Sequence, residues 1–215
     1  MTLTEQLESR AAQSAEKYSD DIHTVMNQGI QTLKETKLVS KALKTGDKIP
    51  EIILPNAIGK NISVQDLLVK NIVILSFYRG GWCPYCNLEL KALQDSLSEF
   101  EKLGAILVAI SPETPDNSLS TTEENNLSFE VLSDKDNKIA KEFNLAFSLS
   151  DDLVEVYEGF GIDLVKSNGT PKHQLPISAT YIIDQNGMII YDFIKEDYKK
   201  RADPKEIINT LKTNN

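Results

Sequence analysis

Ile72-Val73-Ile74-Leu75-Ser76-Phe77-Tyr78-Arg79-Gly80-Gly81-Trp82-Cys83-Pro84-Tyr85-Cys86 is the stretch that decides the fold. Its first seven residues form a near-continuous β-prone run, the pattern of a central strand covered on both faces. It ends in a Cys-x-x-Cys pair, after which Leu90, Leu93, Leu97 and Phe100 follow the helical period up to a stop at Gly104. A second strand is expected over 105–110. Strand, motif, helix and strand in that order make a βαβ unit, whose right-handed crossover makes the two strands parallel neighbours or near-neighbours. The motif therefore opens a helix at the carboxyl end of a strand.

That placement gives the two sulfurs a chemistry. Cysteines three positions apart share one face of the first helical turn, with Cα atoms about 5 Å apart, within the span a disulfide accepts. They are the only two cysteines of the chain. A bridge closing so short a loop restrains almost nothing in the unfolded chain, so stability is a poor reason for it. Free amides and the positive end of the helix dipole favour a thiolate there. If the pKa fell to about 6, the thiolate fraction at pH 7 would rise roughly 30-fold while intrinsic nucleophilicity fell roughly 13-fold, a net gain of about twofold. A fast peroxidase must also stabilise the charge developing on the departing oxygen. Arg79, always cationic and rich in N–H groups, is the first candidate donor beside the catalytic candidates Cys83 and Cys86. Tyr78, Gly80, Gly81 and Trp82 are the candidate substrate-binding residues. The glycines allow close backbone approach, and the aromatics Trp82 and Tyr85 either wall the site or pack. Pro84 fits the first helical turn.

The remaining chain is compatible with one α/β domain of mixed sheet, at 46–215, preceded by a helical extension at 1–45. Apolar residues from Leu3 to Leu33 recur at helical spacing, and Gly46 and Pro50 mark the boundary. Short strands are expected over 51–54, 61–64 and 129–132, and helices around Asp66 and over 138–143 and 151–160. An Asn186-Gly187 turn should join strands 180–183 and 188–194 in a hairpin at the end of the sheet. A last helix is expected over 204–211, with Asp203 as N-cap and Pro204 at its first position.

The net charge of −9 repels nucleic acid and anionic membranes. The first residues carry no apolar signal core and no apolar run reaches spanning length, so a cytoplasmic protein is expected. A zinc site would need two ligands beyond the cysteines, and only His23 and His173, each expected at the surface, are on offer. Nothing local supports a cysteine–histidine nucleophile using His173.

The stretch 75–90, with Ala109-Ile110-Ser111-Pro112 and Ser178-Ala179-Thr180-Tyr181-Ile182-Ile183-Asp184 downstream, resembles the peroxiredoxin-like proteins of the alkyl hydroperoxide reductase and thiol-specific antioxidant family. The resemblance implies a thioredoxin-like fold. It also implies reduction of hydrogen peroxide or organic hydroperoxides through a cysteine sulfenic acid, recycling by thioredoxin or a similar dithiol, no bound cofactor, and dimers, which related redoxins often form. Matching the motif P-x-x-x-T-x-x-C puts Cys86 at the peroxidatic position, Cys83 at the threonine and Arg79 at the proline. Matching thioredoxin and glutaredoxin instead makes Cys83, the more exposed cysteine, the nucleophile and Cys86 its resolving partner. Both assignments stay open. The motif's proline and threonine are absent, and Ser178, which the resemblance adds to the substrate-binding candidates, stands where peroxiredoxins carry an arginine and thioredoxins a cis-proline. Two other functions compete: a thiol:disulfide oxidoreductase acting on protein disulfides, and a redox-sensing protein whose disulfide switches a partner surface built by the N-terminal helices.

Overall fold

A computed structural model describes residues 1–214. In chain order the elements are α1 (Leu3–Lys17), α2 (Asp20–Glu35), α3 (Leu38–Lys41), β1 (Ile53–Pro55), β2 (Asn61–Ser63), α4 (Val64–Leu68) and β3 (Ile72–Phe77). Next come α5 (Pro84–Asp95), α6 (Leu97–Lys102), β4 (Ala105–Ser111), α7 (Pro115–Glu124), β5 (Glu130–Ser133) and, after a short 3₁₀ turn, α8 (Lys138–Glu142). The chain finishes with β6 (Ala146–Ser148), α9 (Asp151–Gly159), α10 (Leu164–Asn168), β7 (Gln174–Pro176), β8 (Ala179–Ile183), β9 (Ile189–Ile194) and α11 (Pro204–Thr213).

The central mixed sheet runs β5-β4-β3-β8-β9. The strand β3 lies in its middle, parallel to β4 with Ile72 opposite Ala105, and antiparallel to β8 with Val73 opposite Ile183. Side chains of a strand alternate between faces. Val73, Leu75 and Phe77 accordingly join Phe143, Ile139 and Tyr181 in one core, while Ile74 joins Leu90, Leu93, Phe100 and Ile207 in the other. Helices therefore flank both faces, which gives the thioredoxin-like α/β fold expected for an apolar β3.

The βαβ unit forms as the spacing requires, except that the helix after the motif is broken. Ser96 sits in the bridge region at φ −96°, ψ −2°, ending α5 and starting α6. The hairpin β8–β9 also forms, at the sheet edge, but by a different turn. Only Gly187 is left-handed (φ 78°), and its N–H bonds the Asp184 carbonyl. This is a four-residue turn closed by a left-handed glycine, rather than a pair of positive φ angles at Asn186 and Gly187. The helices α7 and α10 and the small antiparallel sheet β6–β7 lie outside the expected elements, although Thr114 and Pro115 open α7 as an N-cap and first-turn proline. The last helix starts as read, with Asp203 capping Lys205 N and Pro204 in the first turn.

The amino-terminal helices lie against this body. A capping box between Thr2 and Glu5 starts α1. Leu3 and Leu7 are buried in the same core as Leu90 and Phe100, each burial stabilising by about 1.5–3 kcal/mol. The helix α1 packs on α5, and α2 on α9. Among the described residues no helix is long and apolar enough to cross a membrane.

Candidate active site

The motif follows directly on β3. Gly80 adopts φ 149°, and a side chain there would overlap the Trp82 indole. A Cβ on Gly81 would overlap Thr121. These two glycines let the chain double back, so that Cys83 N bonds Gly80 O at 3.1 Å and Cys83 becomes the N-cap of α5, with Pro84 behind it. The turn is pinned from outside by Glu113. Its buried carboxylate accepts from Gly81 N at 2.9 Å and from the Ser167 hydroxyl at 3.0 Å, while Asn87 Nδ2 donates to Gly81 O at 2.8 Å. Burial pushes the Glu113 pKa up.

Cys83 and Cys86 are free thiols, 2 % and 0 % exposed. Cys83 is the more exposed of the two, as its place as first cysteine suggests, although both are buried; it lies in the wall of a cavity that Arg10, Ser14 and Met26 also line. The pair ionises unequally. The Cys86 thiol and backbone donate hydrogen bonds to Cys83, and Arg79 and Arg201 add positive potential, holding Cys83 down at about 5 against burial. Burial and the neighbouring Cys83 push Cys86 up.

Arg79 is 4 % exposed. Its guanidinium lies 5.1 Å from the ring centre of Trp82, 5.4 Å from that of Tyr157 and 4.8 Å from that of Tyr198, and it donates to the Tyr157 hydroxyl. A cation over three π faces is stabilised without a carboxylate. Arg201 reaches the other sulfur. Its Nη2 is 3.4 Å from Cys86 Sγ, its Nε donates to Glu89 Oε2 at 2.6 Å, and its Nη1 donates to the Lys200 carbonyl at 2.8 Å and to that of Tyr198. Thr180 donates to the same carboxylate of Glu89. Burial lifts the Glu89 pKa to about 7 although Arg201 works against it.

A cavity of about 300 Å³ opens onto Cys83, with Trp82, Tyr85, Tyr157 and Arg79 in its wall and Arg10 of α1 and Tyr18, just past its end, in its roof; Cys86 does not reach it. Of the residues singled out in the sequence, the structure brings Cys83, Cys86, Arg79 and Trp82 together. Ser178 is buried, its hydroxyl has no hydrogen-bond partner, and it lines a narrow second cavity of about 30 Å³ that shares Arg79. Gly80 and Gly81 shape the turn without lining either cavity, and the Tyr78 hydroxyl sits by Ser111 and Thr121. His23 and His173 are half-buried, and neither lines the cavity. Sequence reasoning missed Arg201, Glu89, Tyr157 and Tyr198. Only Glu89, on the motif's own helix, carried a local signal, as a carboxylate one turn past Cys86.

A thioredoxin-like sheet presenting two thiols at a helix start, with two buried arginines beside them, defines a thiol oxidoreductase. Residues 45–192 match the AhpC/TSA family. A putative peroxiredoxin bcp of Helicobacter pylori is 30 % identical over 147 residues, spanning 68 % of this chain and 85 % of that one. One from Buchnera aphidicola is 35 % identical over 103 residues, 48 % of this chain and 65 % of that one. The crystal structure of peroxidoxin BcpB from Mycobacterium tuberculosis superposes with a TM-score of 0.61 at 21 % identity, covering 80 % of this chain and 97 % of the other, which speaks for the fold. The chain belongs to the AhpC/TSA family and is a peroxiredoxin-like oxidoreductase.

Proposed function

We propose that the chain is a thiol-dependent peroxidase that reduces hydrogen peroxide or organic hydroperoxides through a dithiol/disulfide cycle of Cys83 and Cys86. The observation that carries this reading is that Cys83, three residues from Cys86, lies in the wall of a cavity that also holds the buried Arg79 guanidinium. With a pKa of about 5, Cys83 is fully ionised at neutral pH. Ionisation gains roughly 30-fold in thiolate but costs roughly 40-fold in nucleophilicity, so it contributes no net acceleration. The acceleration has to come from donors aimed at the departing oxygen.

In the cycle, the Cys83 thiolate attacks the nearer peroxide oxygen. The O–O bond breaks, Cys83 becomes a sulfenic acid, and the alkoxide or hydroxide leaves beside Arg79 and takes a proton. Cys86 then attacks the Cys83 sulfur. The S–S bond forms, and the sulfenic oxygen departs as water with the Cys86 proton. Arg201 steadies the Cys86 thiolate in this step. An external thiol donor restores both thiols. Trp82 is proposed as a wall of the substrate site.

A second reading makes Cys86 the first nucleophile, as the family motif implies. Its support is the Arg201 contact at 3.4 Å. Trapping sulfenic acid with dimedone in Cys83→Ser and Cys86→Ser separates the two: an adduct confined to Cys86→Ser supports Cys83, one confined to Cys83→Ser supports Cys86, and no adduct in either overturns the peroxidase reading.

A further inference from the structure

The cavity beside Cys83 is charged in the opposite sense to the protein around it. The chain carries a net charge of −9, yet Arg10 and Arg79 line this cavity and no aspartate or glutamate does. Arg79 makes no ion pair with a carboxylate among the described residues, and its buried Nε has no hydrogen-bond partner. In the reduced protein Arg79 also faces the Cys83 thiolate, but the disulfide removes that charge and leaves the guanidinium met only by rings and one phenol, a deficit that a bound anion completes.

Access is narrow as well. Tyr18, the residue that caps the end of α1, packs on Phe160 with ring centres 4.6 Å apart, both in the cavity wall, and α1 is anchored by the buried Leu3 and Leu7. A protein dithiol has to bring its sulfur into bonding contact with Cys83 past these helices, whereas a small molecule enters the cavity as it stands. Cys83 lines the cavity and Cys86 does not, so the sulfur of a Cys83–Cys86 disulfide open to attack is Cys83.

We infer that the reductant accepted by this site is a small thiol bearing a carboxylate, seated with the carboxylate on Arg79 and the sulfur toward Cys83. This rests on the dithiol cycle proposed above. The entering thiolate bonds to Cys83 Sγ. The Cys83–Cys86 bond breaks, and its electron pair leaves on Cys86 beside the Arg201 guanidinium. A second thiolate attacks the outer sulfur of the mixed disulfide, releasing the small disulfide and the Cys83 thiolate. Two electrons pass from two small thiols to the protein.

The test uses the full chain, treated with peroxide or diamide, with disulfide formation checked by the loss of two hydrogens in the intact mass. Reduction by mercaptopropionate, mercaptoethanol and cysteamine is then timed, each rate divided by that thiol's rate with uncharged hydroxyethyl disulfide. Mercaptopropionate should exceed mercaptoethanol by about tenfold and cysteamine should fall below it, an order that added salt and Arg79→Gln both compress. Should Arg79→Gln fail to fold, the salt dependence of the native protein and Arg10→Gln carry the same comparison. Equal normalised rates for the three thiols, or thioredoxin outrunning mercaptopropionate at equal concentration, overturn the inference while leaving the cycle intact. A charge preference seen only among hydroperoxides, in the oxidising half, reassigns the anion to the peroxide and also overturns it. Failure to form any disulfide overturns the cycle and this inference together.

Discussion

Glu89 and Arg201, separated by 112 residues, meet at 2.6 Å with both side chains 1 % exposed. Arg201 stays charged at every accessible pH, so the balance between burial and attraction is read on the carboxylate, which titrates near 7. A carboxyl whose folded pKa is raised contributes stability that is full below its unfolded pKa and is lost as pH rises through the folded one. Between the ordinary carboxylate value and about pH 7, the native protein should lose on the order of 3 kcal/mol relative to Glu89→Gln. Urea unfolding of both proteins across this window measures it. A constant difference between them would show that Glu89 does not titrate there.

The low pKa of Cys83 rests first on a hydrogen bond from Cys86. The rate of iodoacetamide alkylation at Cys83 should therefore rise with a midpoint near pH 5 in the native protein. In Cys86→Ala the midpoint should move up toward the ordinary thiol value, because the donor is gone, while Cys86→Ser should hold it low. Identical midpoints in native protein and Cys86→Ala would leave the arginines and the Cys86 backbone amide as the cause.

The roof over Cys83 hangs on few contacts. Leu7→Ala removes one of two apolar anchors of α1 and should cost about 2–4 kcal/mol. The same change should also speed alkylation of Cys83 at fixed pH, since α1 forms part of the cavity. A stability loss with no change in alkylation would mean that the roof does not limit access.

Gly81 is set against Thr121, and an added methyl would overlap its hydroxyl. Gly81→Ala should destabilise by about 1–3 kcal/mol as overpacking does. Thr121→Ala in the same chain should recover part of that loss, a coupling that a double-mutant cycle by urea unfolding reads directly. Additive losses would place the strain in the backbone of the turn.

The parts of the fold that the sequence spelled out are those written in local pattern. The apolar run of β3, the period of Leu90, Leu93 and Phe100, and Asp203-Pro204 before the last helix each state their element within a few residues. Cys83 and Cys86 announced themselves by spacing, and Arg79 by lying on the same turn. Arg201 could not be found this way. It sits in the charge-rich run Lys199-Lys200-Arg201, which reads as a solvated surface, and only the return of the chain after β9 carries it into the core beside Cys86. Tyr157 and Tyr198 were hidden similarly, as ordinary aromatics of a helix and a loop. Ser178 looked like a loss of positive charge at the late strand; a cation from another segment stands by the Cys86 sulfur instead.

Trp82 is the chain's single tryptophan, the residue directly before Cys83, 5.5 Å from the Tyr157 ring and 5.1 Å from the Arg79 guanidinium. Its fluorescence therefore originates from one spot only, next in sequence to Cys83 and beside a cation. If the proposed cycle operates there, the emission should differ between the dithiol and disulfide forms and report the change without any attached dye.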